Sequence, residues 1–113
     1  MILVIPTPSD VDSFTQLTSL DGASFELRFR WNPRAAGWFL DVFDAGGEAI
    51  VLGVRIVVSW PLLRRVTHAG RPAGEIMAVD TTGGGDPGRD DLGSRVVLKY
   101  FDAASVAELR GTV

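Results

Sequence analysis

From Ser24 to Val58 the chain alternates apolar and polar side chains with a period of two, broken by two short turns. The run SFELRFRW puts Phe25, Leu27, Phe29 and Trp31 on one face and Glu26, Arg28 and Arg30 on the other. WFLDVFD and AIVLGVRIVV follow, each behind a turn containing Gly or Pro. A period of two is the mark of strands with one buried face. It predicts three consecutive antiparallel strands over residues 23–31, 38–44 and 49–58. In the last of these Ile50, Leu52, Val54, Ile56 and Val58 share a core face, and Val51 and Val57 indicate that the opposite face is partly covered.

The remaining elements are punctuated by turn residues. Residues 2–5 form a short β-prone run stopped by Pro6 and Pro8, and residues 14–20 form the first full strand. Asp21-Gly22 predicts a type I′ hairpin, whose two central residues need positive φ. Pro33 and Gly37 bound a second turn and Gly46-Gly47 a third. Trp60-Pro61-Leu62-Leu63-Arg64-Arg65 reads as a corner or a single helical turn, with Pro61 suited to a first helical position. Residues 75–80 and 95–101 are strands on either side of a long glycine-rich and acidic loop. Asp102 is placed to cap a short helix over 103–110, stopped at Gly111. The fold class is therefore all-β. About seven antiparallel strands form a compact sandwich or partly closed barrel with a short C-terminal helix, in a single domain over 1–113.

Composition excludes several functions. The chain has no cysteine, so neither disulfides nor thiolate metal sites hold it. A net charge of −3 argues against a nucleic-acid partner bound by phosphate neutralisation. No apolar run reaches the ~20 residues that span a bilayer. Residues 1–6 are too short for a signal peptide, which predicts a soluble protein made in a cytoplasm. Ten arginines against one lysine, Lys99, fit either a GC-rich genome or guanidinium-rich interfaces.

Residues that could carry chemistry are few. His68, the one histidine, lies in a polar loop, and no serine sits in a G-x-S-x-G elbow, so no catalytic set is expected. The loop over 80–93 gathers Asp80, Asp86, Asp90 and Asp91 among glycines. Four carboxylates would repel a phosphate. They could hold a hard cation such as calcium, although the spacing is not that of an EF-hand, and Arg89 can neutralise them instead. No metal or cofactor is assigned. Arg64, Arg65, His68 and Arg71 form a local basic cluster that reads as a docking patch or a solvated rim. Trp60, Leu62 and Leu63 before it are core plugs or interface anchors, Trp and Arg being the residues that dominate binding hot spots. Trp31 and Trp38 flank a turn and cap the core. The residues expected at a protein interface are Trp60, Leu62, Leu63, Arg64, Arg65, Asp86, Arg89, Asp90 and Asp91.

The blocks LDG, LRFRWN, GWFLDVFDAGGEAIVLGVRIV, WPLL, GEIMAVDT, DPGRDDLG and RVVLKYFDA, in that order, resemble the phage baseplate plug family, small structural proteins of contractile-tailed phages such as cyanophages. The resemblance implies a structural virion protein with no catalytic residues. It would sit in the tail baseplate as a plug or connector near the central hub and spike, touching hub, spike or tube-initiating components. It also implies a symmetric homo-oligomer or repeated copies, and neither nucleic acid nor membrane as partner. Two other readings remain at this stage: a free-standing small-ligand or cation-binding β domain using the 80–93 loop, and a small hydrolase with His68 as its base.

Overall fold

A computed structural model describes residues 2–7 and 11–106. Among them seven strands form two antiparallel sheets. β2 (Ser13–Leu20), β3 (Ala23–Asn32), β4 (Gly37–Asp44) and β5 (Ala49–Arg55) make a four-stranded meander in sequence order. The second sheet has the order β1-β7-β6, with β1 (Ile2–Ile5), β6 (Glu75–Asp80) and β7 (Val96–Phe101). The two sheets form a sandwich, and no ladder closes them into a barrel among the described residues. Residues 103–106 form one helical turn, begun by the Asp102 carboxylate accepting from the Ser105 N–H at 2.8 Å. The rest of the expected helix, 107–110, and Gly111 lie outside the described residues.

The alternation in β3 places Phe25, Leu27 and Phe29 inward, in register with Asp44, Val42 and Leu40 of β4. They pack with Trp38, Ile50 and Ile56 from the same side of the molecule and with Ile5, Ile76, Ala78, Val96, Leu98 and Tyr100 from the other sheet, in one hydrophobic cluster. Trp38 is fully buried and Trp31 half-buried, with ring centroids 5.9 Å apart, so only Trp31 sits at the margin of the core. The Asp21-Gly22 turn has φ of 54° and 81°, the two positive values a type I′ hairpin requires.

β5 departs from the sequence expectation. It ends at Arg55 rather than continuing to residue 58, and Leu52 is 61% exposed rather than core. The register explains both. Leu40 pairs with Val54 and Val42 with Val51, so Leu52 and Gly53 together oppose the single residue Asp41. A second shift lies between Val42 and Phe43. Each extra residue reverses which side chains face inward. Gly53 takes φ of 72° and donates its N–H to the buried Asp41 carboxylate at 2.7 Å, which also binds Arg30 Nη1 at 2.5 Å.

Beyond β5 the chain crosses between the sheets. The Ile56 N–H still donates to Trp38 O, but Val58 bridges to Ala78 and the Ser59 and Leu62 amides donate to Ala78 O and Ile76 O of β6. Pro61 to Val66 then makes two successive turns, Arg64 N to Pro61 O and Val66 N to Leu63 O. This is the expected corner.

Three distant segments meet at Tyr100, whose side chain is fully buried. Its phenol donates to Asp21 of the β2–β3 turn and accepts from the Gly74 N–H at 2.7 Å. A Cβ on Gly74 would lie 2.0 Å from Phe101 O, so this approach requires glycine. Burial, reinforced by the Asp21 carboxylate, pushes the Tyr100 phenol well above its usual range. An acid whose pKa is raised on folding adds stability below its unfolded pKa, here 10.0, and that stability is lost as pH rises above it. Tyr100→Phe should therefore lower the unfolding free energy at neutral pH by about 1–2 kcal/mol in urea titrations. It should also flatten the decline in stability above pH 10.

Candidate functional site

Between β5 and residues 60–68 lies a groove of about 700 Å³. Ile50, Val51, Val54, Leu62 and Val66 form its apolar floor, and Trp60, Arg65, Thr67 and His68 form its rim. The corner sequence divides its own side chains. Leu62 and Leu63 turn inward and are 5% and 0% exposed, so both belong to the core. Trp60, Arg64 and Arg65 stay outside, and the Arg64 guanidinium lies over the Trp60 ring at 5.3 Å. Of the expected interface residues in this segment, then, Trp60, Arg64 and Arg65 face solvent while Leu62 and Leu63 do not.

Arg71 is not part of a surface patch. Its guanidinium donates to Leu63 O at 2.6 Å, Val66 O at 3.1 Å, Pro72 O at 2.9 Å and Gly74 O at 2.7 Å. The Glu75 carboxylate supplies the complementary acceptor for the Leu63 N–H at 2.6 Å. An irregular segment has no ladder to satisfy its backbone, and here one side chain does so. His68 accepts from the Gly70 N–H at Nδ1, 2.9 Å, and its Nε2 lies 3.8 Å from Glu48. Among the described residues no hydroxyl donates to either nitrogen.

The acidic loop is organised by Arg95, whose role the sequence did not signal. Its guanidinium binds Asp80 at 2.7 Å, Asp91 at 2.9 Å, Gly85 O at 2.9 Å and Asp86 O at 3.1 Å. Burial acts to raise the Asp80 pKa, but the Thr82 and Gly85 amides and Arg95 outweigh it and hold the carboxyl below its ordinary value. Arg95, followed by the Gly88 amide, holds Asp91 low as well. Asp86 accepts from the Val58 N–H at 2.9 Å, the Trp38 indole donates to Gly88 O at 3.0 Å, and Leu92 is buried in the core. The loop is thus fastened to both sheets. Arg89 pairs with Asp90 of the loop at 2.6 Å, as the sequence allowed, and with Asp12 outside it at 2.5 Å. Among the described residues no cluster of His, Asp or Glu is arranged to hold a metal ion, and no helix is long and apolar enough to cross a membrane.

The sequence matches the family described as cyanophage baseplate Pam3 plug gp18 over residues 2–103, nearly the whole chain. The chain belongs to this baseplate plug family. No curated protein matches it. The match spans both sheets, the groove and the acidic loop of this plug-family member, so the features above all lie within the matched region.

Two measurements check this assignment of roles. Arg71→Met should lower the unfolding free energy by about 1–3 kcal/mol, because its carbonyl partners lose their donor. Leu63→Ala should cost about 2–5 kcal/mol, whereas Trp60→Ala, at an exposed position, should leave the urea midpoint close to that of the wild type. For the acidic loop, the depressed Asp80 and Asp91 carboxyls add stability above their unfolded value of 3.8, and it is lost as pH falls below that. Arg95→Gln should lower the hydrogen-exchange protection factors across 81–93 at neutral pH and narrow their difference between pH 7 and pH 3, the Thr82, Gly85 and Gly88 amides still binding the two carboxylates.

Proposed function

We propose that the chain is a structural virion protein of a contractile phage tail, acting as a plug or connector near the central hub and spike of the baseplate. The observation that carries this reading is membership of the plug family across residues 2–103. The molecule's construction supports it. Two sheets share one core, and both irregular segments are fastened to that core by internal guanidinium groups. Among the described residues no hydroxyl donates to His68, and the acidic loop holds Asp80, Asp86 and Asp91 in internal bonds. The chain acts as one non-enzymatic β domain that offers surfaces rather than chemistry.

Its neighbours are hub, spike or tube-initiating components. The symmetry of a tail brings repeated copies of whichever contact it makes. The docking surface is centred on Trp60, Arg64 and Arg65, with Arg89 and Asp90 as a second exposed contact. Leu62, Leu63, Asp86 and Asp91 act behind these surfaces by fixing their shape. The protein is synthesised in the host cytoplasm and ends in the virion.

Quantitative mass spectrometry of purified tails tests the proposal. The expected result is the chain at a small copy number compatible with the tail's symmetry, co-purifying with hub and spike proteins. Its absence from intact particles would overturn the reading.

A further inference from the structure

We propose that the groove between β5 and residues 60–68 receives a protein segment that presents a large apolar side chain flanked by carboxylates. The inference rests on the docking role proposed above and specifies what docks. Three observations carry it. Five of the nine lining residues, Ile50, Val51, Val54, Leu62 and Val66, are aliphatic, so the groove offers burial to an apolar side chain, with Arg65, Thr67 and His68 as polar groups at its margin. The rim carries Trp60, 41% exposed, with the Arg64 guanidinium on its face. Trp and Arg are the side chains that most often anchor protein contacts.

The third observation concerns charge. Six of the nine described arginines direct their guanidinium to oxygen acceptors in this chain. Arg28 is held by Glu26, Arg30 by Asp41, Arg55 by Ala36 O, Arg71 by four carbonyls, Arg89 by Asp12 and Asp90, and Arg95 by the acidic loop. Arg34 sits alone in the β3–β4 turn. The other two, Arg64 and Arg65, are consecutive, exposed and without an oxygen partner, and both stand at this groove. In a chain of net charge −3 whose other cations are largely neutralised internally, this is a local positive edge on an apolar slot. The complementary occupant is apolar at its centre and acidic at its margins. A nucleic acid fits less well: Arg64 and Arg65 would pair with phosphate, but it would leave the five aliphatic side chains uncovered.

The test uses the full-length protein labelled with nitrogen-15, following the Trp60 indole N–H and the amides of Val51, Val54 and Val66. The probes are a hexapeptide with a Leu-Phe pair flanked by Asp and Glu, its counterpart with Lys for the acids, an acidic peptide with Ser for Leu-Phe, and a short oligothymidylate. The acidic apolar peptide should shift the groove signals. It should bind about tenfold more weakly after Arg64→Glu with Arg65→Glu, or when salt is raised severalfold. Trp60→Ala, checked for an unchanged urea midpoint, should also lose the response at the Val51, Val54 and Val66 amides. Equal shifts from the lysine peptide, the serine peptide or the oligothymidylate would overturn the proposal, as would no shift from the acidic apolar peptide at about millimolar concentration. The two readings fail separately. A chain found in tails but indifferent to acidic peptides keeps its virion role and loses this occupant. A chain absent from tails that still selects the peptide does the reverse.

Discussion

The guanidinium of Arg71, donating to four carbonyls between Leu63 and Gly74, is the interaction on which the candidate site depends. Residues 61–74 run between two sheets with no strand or helix of their own. A buried carbonyl without a donor costs free energy comparable to a lost hydrogen bond, so such a segment either stays in water or acquires an internal donor. Arg71 is that donor, and Glu75 is the matching acceptor for the Leu63 amide. With its backbone satisfied, the corner can press Leu62 and Leu63 into the core while Trp60, Arg64 and Arg65 remain outside. The groove is what remains between this wall and β5.

The same solution recurs at the other irregular segment. Arg95 gathers two carboxylates and two carbonyls of the 80–93 loop, and Leu92, Asp86 and Gly88 then attach that loop to the core, to Val58 and to Trp38. Tyr100 joins the β2–β3 turn to the start of β6 through Asp21 and Gly74. Each device fixes loop geometry by hydrogen bonds to groups that water would otherwise solvate. The glycine-rich composition of the loop therefore does not translate into an open cradle for phosphate or cation. Asp80, Asp86 and Asp91 are bound by the chain's own donors, while Asp90 stays exposed.

Strand identity was legible because period-two alternation and turn chemistry are local. The Asp21-Gly22 hairpin and the inward set Phe25, Leu27 and Phe29 could be read residue by residue, and the blocks around them carried the family resemblance. β5 was misread where its locality ends. The shifts opposite Asp41 and beside Phe43 depend on the partner strand, and they turned Leu52 outward although it keeps the aliphatic alternation. Arg71 and Arg95 were illegible as organisers because their partners are mostly backbone carbonyls and carboxylates brought together by the fold. The basic cluster at 64–71 thus contained two kinds of arginine that a charge count treats alike. Direction of packing puts Leu62 and Leu63 in the core and leaves Trp60 exposed, a distinction that apolar residues around a proline do not encode.

The sandwich and its internal guanidinium ties hold a shape, and in the proposed role the Arg64-Arg65 edge beside Trp60 presents it to a neighbour. The most direct test is a cryo-electron microscopy map of the assembled baseplate at side-chain resolution. The account predicts this chain in the central baseplate with Trp60, Arg64 and Arg65 buried against a carboxylate-bearing segment of an adjoining subunit. A map in which the groove opens to solvent in every copy would contradict it.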